Sequence, residues 1–137
     1  MPESNLQCPN WVDYPIDVAG ATGGLLGTSA VICGGKNSNI EDSETDECYL
    51  ISPHQKKAKF LTKMLSNRTF AASTVINDTY LWITGGAGSE SISSSSSEFV
   101  HMDGTMQGPE LPLKLSSHAM INIEYDLTMI IGGNPGK

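Results

Sequence analysis

The feature that most constrains this chain is a short apolar run that ends in two glycines and occurs three times. The copies are Ser29-Ala30-Val31-Ile32-Cys33-Gly34-Gly35, Leu81-Trp82-Ile83-Thr84-Gly85-Gly86 and Met129-Ile130-Ile131-Gly132-Gly133. The pairs begin at 34, 85 and 132, so the intervals are 85 − 34 = 51 and 132 − 85 = 47 residues. A near-constant period of this length marks a repeat architecture, in which each unit covers the apolar face of its neighbour.

Shifting the first copy by 51 places Ala21 on Ala72 and Ile32 on Ile83. Shifting the second by 47 places Ala72 on Ala119 and Ile76 on Ile123. Each copy then holds a small-residue strand, a tight turn, an apolar strand and the glycine pair. The turns fall at Gly27-Thr28, Asn77-Asp78 and Tyr125-Asp126, where glycine, Asn and Asp suit tight backbone. Polar loops follow the first two pairs, Lys36 to Asp46 and Ala87 to Ser96. Glu47 to Ile51 and Glu98 to Met102, again 51 apart, are expected as third strands, and Ala58 to Leu61 and Met106 to Leu111 as fourth strands. Helix is the poorer alternative, because no window sustains a 3.6-residue apolar period and glycine interrupts the apolar runs. The glycine pair itself is expected where the chain leaves a strand and passes close to the next sheet.

Four short antiparallel strands per repeat describe a propeller blade. With the three glycine pairs, Arg68 before a first strand, His118-Ala119 inside one and Trp11 near a possible fourth strand, the chain resembles the Kelch-repeat β-propeller family. The resemblance implies an all-β segment of four-stranded antiparallel blades, forming an open arc and not a closed ring. Residues 1–15 would end a preceding blade, 16–64 and 65–113 would form blades, and 114–137 the first half of another. The fourth-strand Trp of the family is missing from both full repeats, where Phe60 and either Met106 or Leu111 stand near that place. Because so few blades cannot meet around an axis, the expectation is either a piece of a longer Kelch chain or two copies completing one ring, with Ile130 and its neighbours exposed.

Net charge is −7 and no basic patch is interleaved with aromatics, which argues against nucleic acid as a partner. No stretch approaches the roughly 20 apolar residues of a membrane span. The N-terminal residues lack the profile of a signal peptide, so the chain is expected to be cytosolic or to have had its leader removed upstream. Cys8, Cys33 and Cys48 lack zinc spacing and have two readings: reduced thiols, or a bridge between Cys33 and Cys48 on adjacent strands, 15 residues apart. Kelch-like secreted proteins with a Cys-Gly-Gly and a later Cys-Tyr look similar. Two sequons, Asn67-Arg68-Thr69 and Asn77-Asp78-Thr79, also favour secretion and make Asn67 and Asn77 candidate glycosylation sites.

The acidic run Glu41 to Glu47 fails as a calcium loop, since Glu47 stands where glycine is needed and Pro53 where the closing Glu belongs. His54, His101 and His118 fall at unrelated repeat positions, and no nucleophile, zinc-protease, dinucleotide or P-loop motif is present. No metal, cofactor or catalytic residue is therefore expected. Long loops on a rigid scaffold carry binding. The candidate contact residues are Asn37, Asp42, Glu44, Asp46, Arg68, Ser89 and Glu90, facing a protein partner, possibly basic, or a glycan. Lys56, Lys57 and Lys59 should give the opposite end a different sign. The alternatives are a fragment of a galactose-oxidase-like copper enzyme and the substrate-recognition propeller of a cullin-type ubiquitin ligase adaptor.

Overall fold

The computed structural model describes residues 12–136 apart from 38, 42 and 56. Trp11, Cys8, Asp42 and Lys56, all singled out from the sequence, lie outside the described residues. The rest is all-β: ten antiparallel strands and one short 3₁₀ turn at Ser89–Ser91. Among the described residues no helix is long and apolar enough to cross a membrane.

Each repeat builds its own sheet. The first has β1 (Thr22–Leu26), β2 (Ser29–Cys33), β3 (Glu47–Ile51) and β4 (Lys59–Lys63), paired in that order. The second has β5 (Ala72–Ile76), β6 (Tyr80–Thr84), β7 (Ser97–His101) and β8 (Gly104–Gln107), again in sequence order. The third is the two-stranded pair of β9 (Ala119–Glu124) and β10 (Leu127–Ile131). First strand packs beside first strand, β1 on β5 and β5 on β9, and β4 packs beside β8.

Period-two alternation decides the faces. In the first sheet Val31 and the Cys33/Cys48 pair turn toward the second, and Leu81, Ile83 and Val100 turn back to meet them. All six are fully buried, and Leu26 and Met64 join them. The main core thus lies between the first two sheets.

The glycine pairs have one conformation in all three copies. Gly34, Gly85 and Gly132 have φ of 69°, 60° and 68°, and Gly35, Gly86 and Gly133 have φ of 94°, 86° and 101°. Side chains with a Cβ rarely adopt this left-handed region. A Cβ on Gly34 would also collide with the Arg68 carbonyl, and one on Gly85 with the Leu115 carbonyl. Both oxygens belong to the next repeat, so the glycines are dictated by chain-to-chain approach as well as by backbone angle.

Three register details differ from the sequence alignment. Thr22 pairs with Cys33 and Ala72 with Thr84, so the first strands are offset by 50 residues, not 51, and Thr22, not Ala21, matches Ala72. The cause is the turn: Leu26 pairs with Ser29, but Ile76 pairs with Tyr80, leaving a three-residue loop in which Asn77 and Asp78 are both left-handed. Next, Cys33 pairs with Cys48 and Thr84 with Ser97, an offset of 49 for the third strands. Glu98 therefore matches Tyr49, because the loop after the second glycine pair is two residues shorter. Finally, the fourth strand of the second repeat begins at Gly104, before the expected Met106, and that of the first runs to Lys63.

Candidate functional site

Cys33 and Cys48 are directly opposed on β2 and β3 and are bridged, with Cα atoms 4.1 Å apart. The Gly34 N–H donates to the Glu47 carbonyl at 3.1 Å. Hydrogen-bonded pairs alternate with unbonded ones along an antiparallel ladder, so the cysteines occupy the closer, unbonded pair. The bridge closes the loop that carries the acidic run and fixes both ends of it.

That loop and the segment leading into β1 enclose a groove of about 520 Å³. Its walls include Asp17, Val18, Asn37, Ile40, Glu44 and Glu47. Asn37 shapes the loop: its side-chain oxygen accepts the Asn39 N–H at 3.0 Å, and its carbonyl accepts the Ser43 hydroxyl at 2.6 Å. Glu44 Oε2 is shielded from water and has no hydrogen-bond partner among the described residues. Glu47 accepts the Tyr49 hydroxyl at 2.5 Å. This bond, together with burial and the Glu47 charge, pushes the Tyr49 phenol up to about 12. Tyr14 packs edge-on against Tyr49 at 5.3 Å, and burial first, then the Glu47 charge, raises it also to about 12. Both tyrosines therefore stay neutral at any physiological pH, and Asp17, Glu44 and Glu47 are the charged groups in a wall otherwise built largely of Pro15, Ile16, Val18 and Ile40.

A second groove, of about 320 Å³, stands at the equivalent place in the next repeat. The bridges Ala19–Lys36 and Thr69–Ala87 make Val18 and Arg68 equivalent, and the bridges Lys36–Glu44 and Ala87–Ser93 make Glu44 and Ser93 equivalent. This groove is lined by serines, among them Ser66, Ser93 and Ser94, with Asn67 and Lys114. Two neighbouring grooves of one design thus carry different chemistry, acidic in the first and hydroxyl-rich with a lysine in the second.

The structure corrects one candidate. Arg68 was grouped with the contact loops, but its side chain is only 3% exposed. Its Nε donates to Glu98 Oε1 at 2.7 Å, one terminal nitrogen donates to the carbonyls of Gly85 (2.7 Å) and Ser96 (3.0 Å), and the other donates to Ser96 Oγ at 2.7 Å. The Leu65 N–H occupies the second Glu98 oxygen at 2.7 Å. A buried charge must be matched in this way, so Arg68 holds the loop against the sheet with four of its five N–H groups committed to Glu98, Gly85 and Ser96. Asp46 is tied to Lys63 across a surface pair of 3.4 Å. Ser89 and Glu90 are exposed on the 3₁₀ turn, away from the acidic groove. Of the candidates, Asn37 and Glu44 come together.

Asn67 and Asn77 are both exposed, the first in the loop between β4 and β5, the second in the β5–β6 turn. The opposite end holds Lys57 and Lys59, but also Asp78 and Asp103, so its sign is mixed and not basic. Sequence reasoning missed Glu98, Tyr49 and Asp17. Glu98 had a signal, since it is a lone charge in an apolar strand that also requires a buried partner. Among the described residues no group of three or more His, Cys, Asp or Glu is placed to hold a metal ion. Compared with models of known protein families and with curated proteins, the chain matches none.

Proposed function

We propose that this chain is a Kelch-type β-propeller segment and acts as a non-catalytic binding module, taking a basic protein segment in the groove walled by Asp17, Glu44 and Glu47. The repeated four-stranded sheets, packed first strand to first strand, support the family reading. The observation that carries the binding reading is the groove with three carboxylates, clamped at its loop by the Cys33–Cys48 bridge and holding a carboxylate oxygen of Glu44 that none of the described residues satisfies. An unmatched carboxylate shielded from water favours a cation brought by a partner. A disulfide persists in oxidising compartments, which supports an extracellular setting.

The test is association kinetics with Lys/Arg-rich peptides. Replacing Asp17 and Glu44 by Asn and Gln should slow association at low salt and leave the denaturation midpoint intact, because such charges act mainly on encounter. Equal rates for the two proteins at low salt would refute the reading. The hydroxyl-rich second groove favours a glycan as the other ligand class, and a glycan array with Lys114→Ala as control separates the two.

A further inference from the structure

Consecutive repeats are joined by one recurring set of backbone hydrogen bonds. The Phe70 N–H donates to the Gly20 carbonyl at 2.8 Å, and the Ser117 N–H donates to the Phe70 carbonyl at 2.8 Å. Gly20, Phe70 and Ser117 are all left-handed, with φ of 72°, 54° and 55°, so they are the same position in three repeats. The Gly35 N–H donates to the Arg68 carbonyl at 2.7 Å, and the Gly86 N–H to the Leu115 carbonyl at 2.8 Å.

The series stops at the third repeat. Among the described residues, the Ser117 carbonyl and the Gly133 N–H have no partner of this kind. Gly34 and Gly85 each sit under a carbonyl of the next repeat, whereas a Cβ on Gly132 would meet nothing within 4 Å. The side chains agree. Ile121, Ile123, Met129 and Ile131 are 45–54% exposed on the face of β9–β10 turned away from β5. Their counterparts in the first sheet, such as Val31 and Cys33, are fully buried.

The first sheet carries the complement. Its position equivalent to Phe70 and Ser117 is Gly20, whose N–H has no such partner among the described residues. Its position equivalent to Arg68 and Leu115 is Val18, whose carbonyl is likewise unclaimed. The face of β1–β2 turned away from the second sheet bears Leu25, Ala30 and Ile32, and Leu25 is 59% exposed. Those positions match Val75, Leu81 and Ile83, which fill the interface between the first two sheets. Tyr14 packs on Tyr49 at the outer part of that face, and among the described residues no strand pairs with or covers β1 and β2 there.

We infer that the β9–β10 face binds the β1–β2 face of a second copy of this chain, head to tail, with the Ser117 carbonyl accepting the partner's Gly20 N–H and the Gly133 N–H reaching the partner's Val18 carbonyl. The contact continues the interface already present twice within one chain. It is heterologous, and such contacts close into rings when the rotation allows.

Sedimentation of the 137-residue chain tests this, with Leu25→Asp and Ile121→Asp as variants and Tyr125→Asp, at the β9–β10 turn, as control. Leu25 and Ile121 are more than half exposed in the single chain, so the variants fold, as circular dichroism verifies. The expected result is a concentration-dependent dimer for the wild type and the control, and a monomer for each variant alone. An equimolar mixture of the two variants should regain association, because it holds one intact pair of faces. Three results overturn the inference: a wild-type monomer throughout the soluble range, a dimer broken by Ile121→Asp but untouched by Leu25→Asp, which indicates a face-to-face contact, or no recovery in the mixture. None of these depends on the binding of basic peptides.

Discussion

Arg68 and Glu98 meet at 2.7 Å with side chains 3% and 0% exposed, one on the segment that enters the second sheet and the other in its third strand. The pair lies between the first and second sheets. It joins the loop after β4, through Leu65, to the chain that leaves β6, through Gly85. It is the place where a charge is most deeply committed to the fold and not to a ligand.

Removing one partner leaves the other charge buried without a match. Arg68→Met should therefore destabilise the protein by about 3–5 kcal/mol. Arg68→Met combined with Glu98→Leu should lose distinctly less than Glu98→Leu and Arg68→Met added together. Urea denaturation of the two singles and the double gives the answer, and additive losses would show that the ion pair is not a unit.

The Cys33–Cys48 bridge closes a loop of 15 residues in sequence separation. In the chain-entropy account such a crosslink contributes about 3 kcal/mol by restricting the unfolded chain. Cys33→Ala with Cys48→Ala should lower the stability by that order while keeping the strand signature in circular dichroism. A midpoint that does not move between the bridged and the substituted protein contradicts the assignment.

His118 gives a pH dependence with a definite sign. Its Nε2 lies 2.8 Å from Thr84 Oγ1, its Nδ1 is buried without a partner among the described residues, and burial holds its pKa below the usual histidine value of about 6.5. The unfolded chain therefore takes up a proton at a higher pH than the folded one. Stability is full above about 6.5 and falls as pH drops from there toward the lower folded value. His118→Gln should flatten this part of the profile relative to the wild type. Parallel wild-type and variant curves between pH 7 and 5 would count against it.

Asn77 stands in an exposed turn with φ 53°, and the Thr79 hydroxyl donates to its carbonyl at 2.8 Å. When the chain is made in a eukaryotic secretory pathway, Asn77 should carry a glycan, and Asn67, exposed on the other end, a second. Gel mobility before and after deglycosylation, with Asn67→Gln and Asn77→Gln, reads each site separately. Identical mobility for all forms rules out both.

The sequence by itself determined the repeat, the strand pairs around each turn and the need for glycine at 34–35, 85–86 and 132–133. These depend on local rules: alternation along a strand and backbone angles that a Cβ forbids. It also made the Cys33–Cys48 bridge a real alternative, because adjacent antiparallel strands bring such residues opposite each other. Alignment alone could not set the offsets of 50 and 49, since a turn lengthened by one residue and a loop shortened by two leave the hydrophobic pattern intact. Tertiary structure also decided that Arg68 is interior and that Glu44 stands in a groove. Both outcomes depend on which distant backbone comes to lie over the side chain, and no periodicity encodes that. The β9–β10 pair is divided between the two: exposure around Ile130 follows from the repeat pattern, but the fold places it on Met129 and Ile131 and half-buries Ile130, because alternation along the strand turns Ile130 and Met120 toward the second sheet.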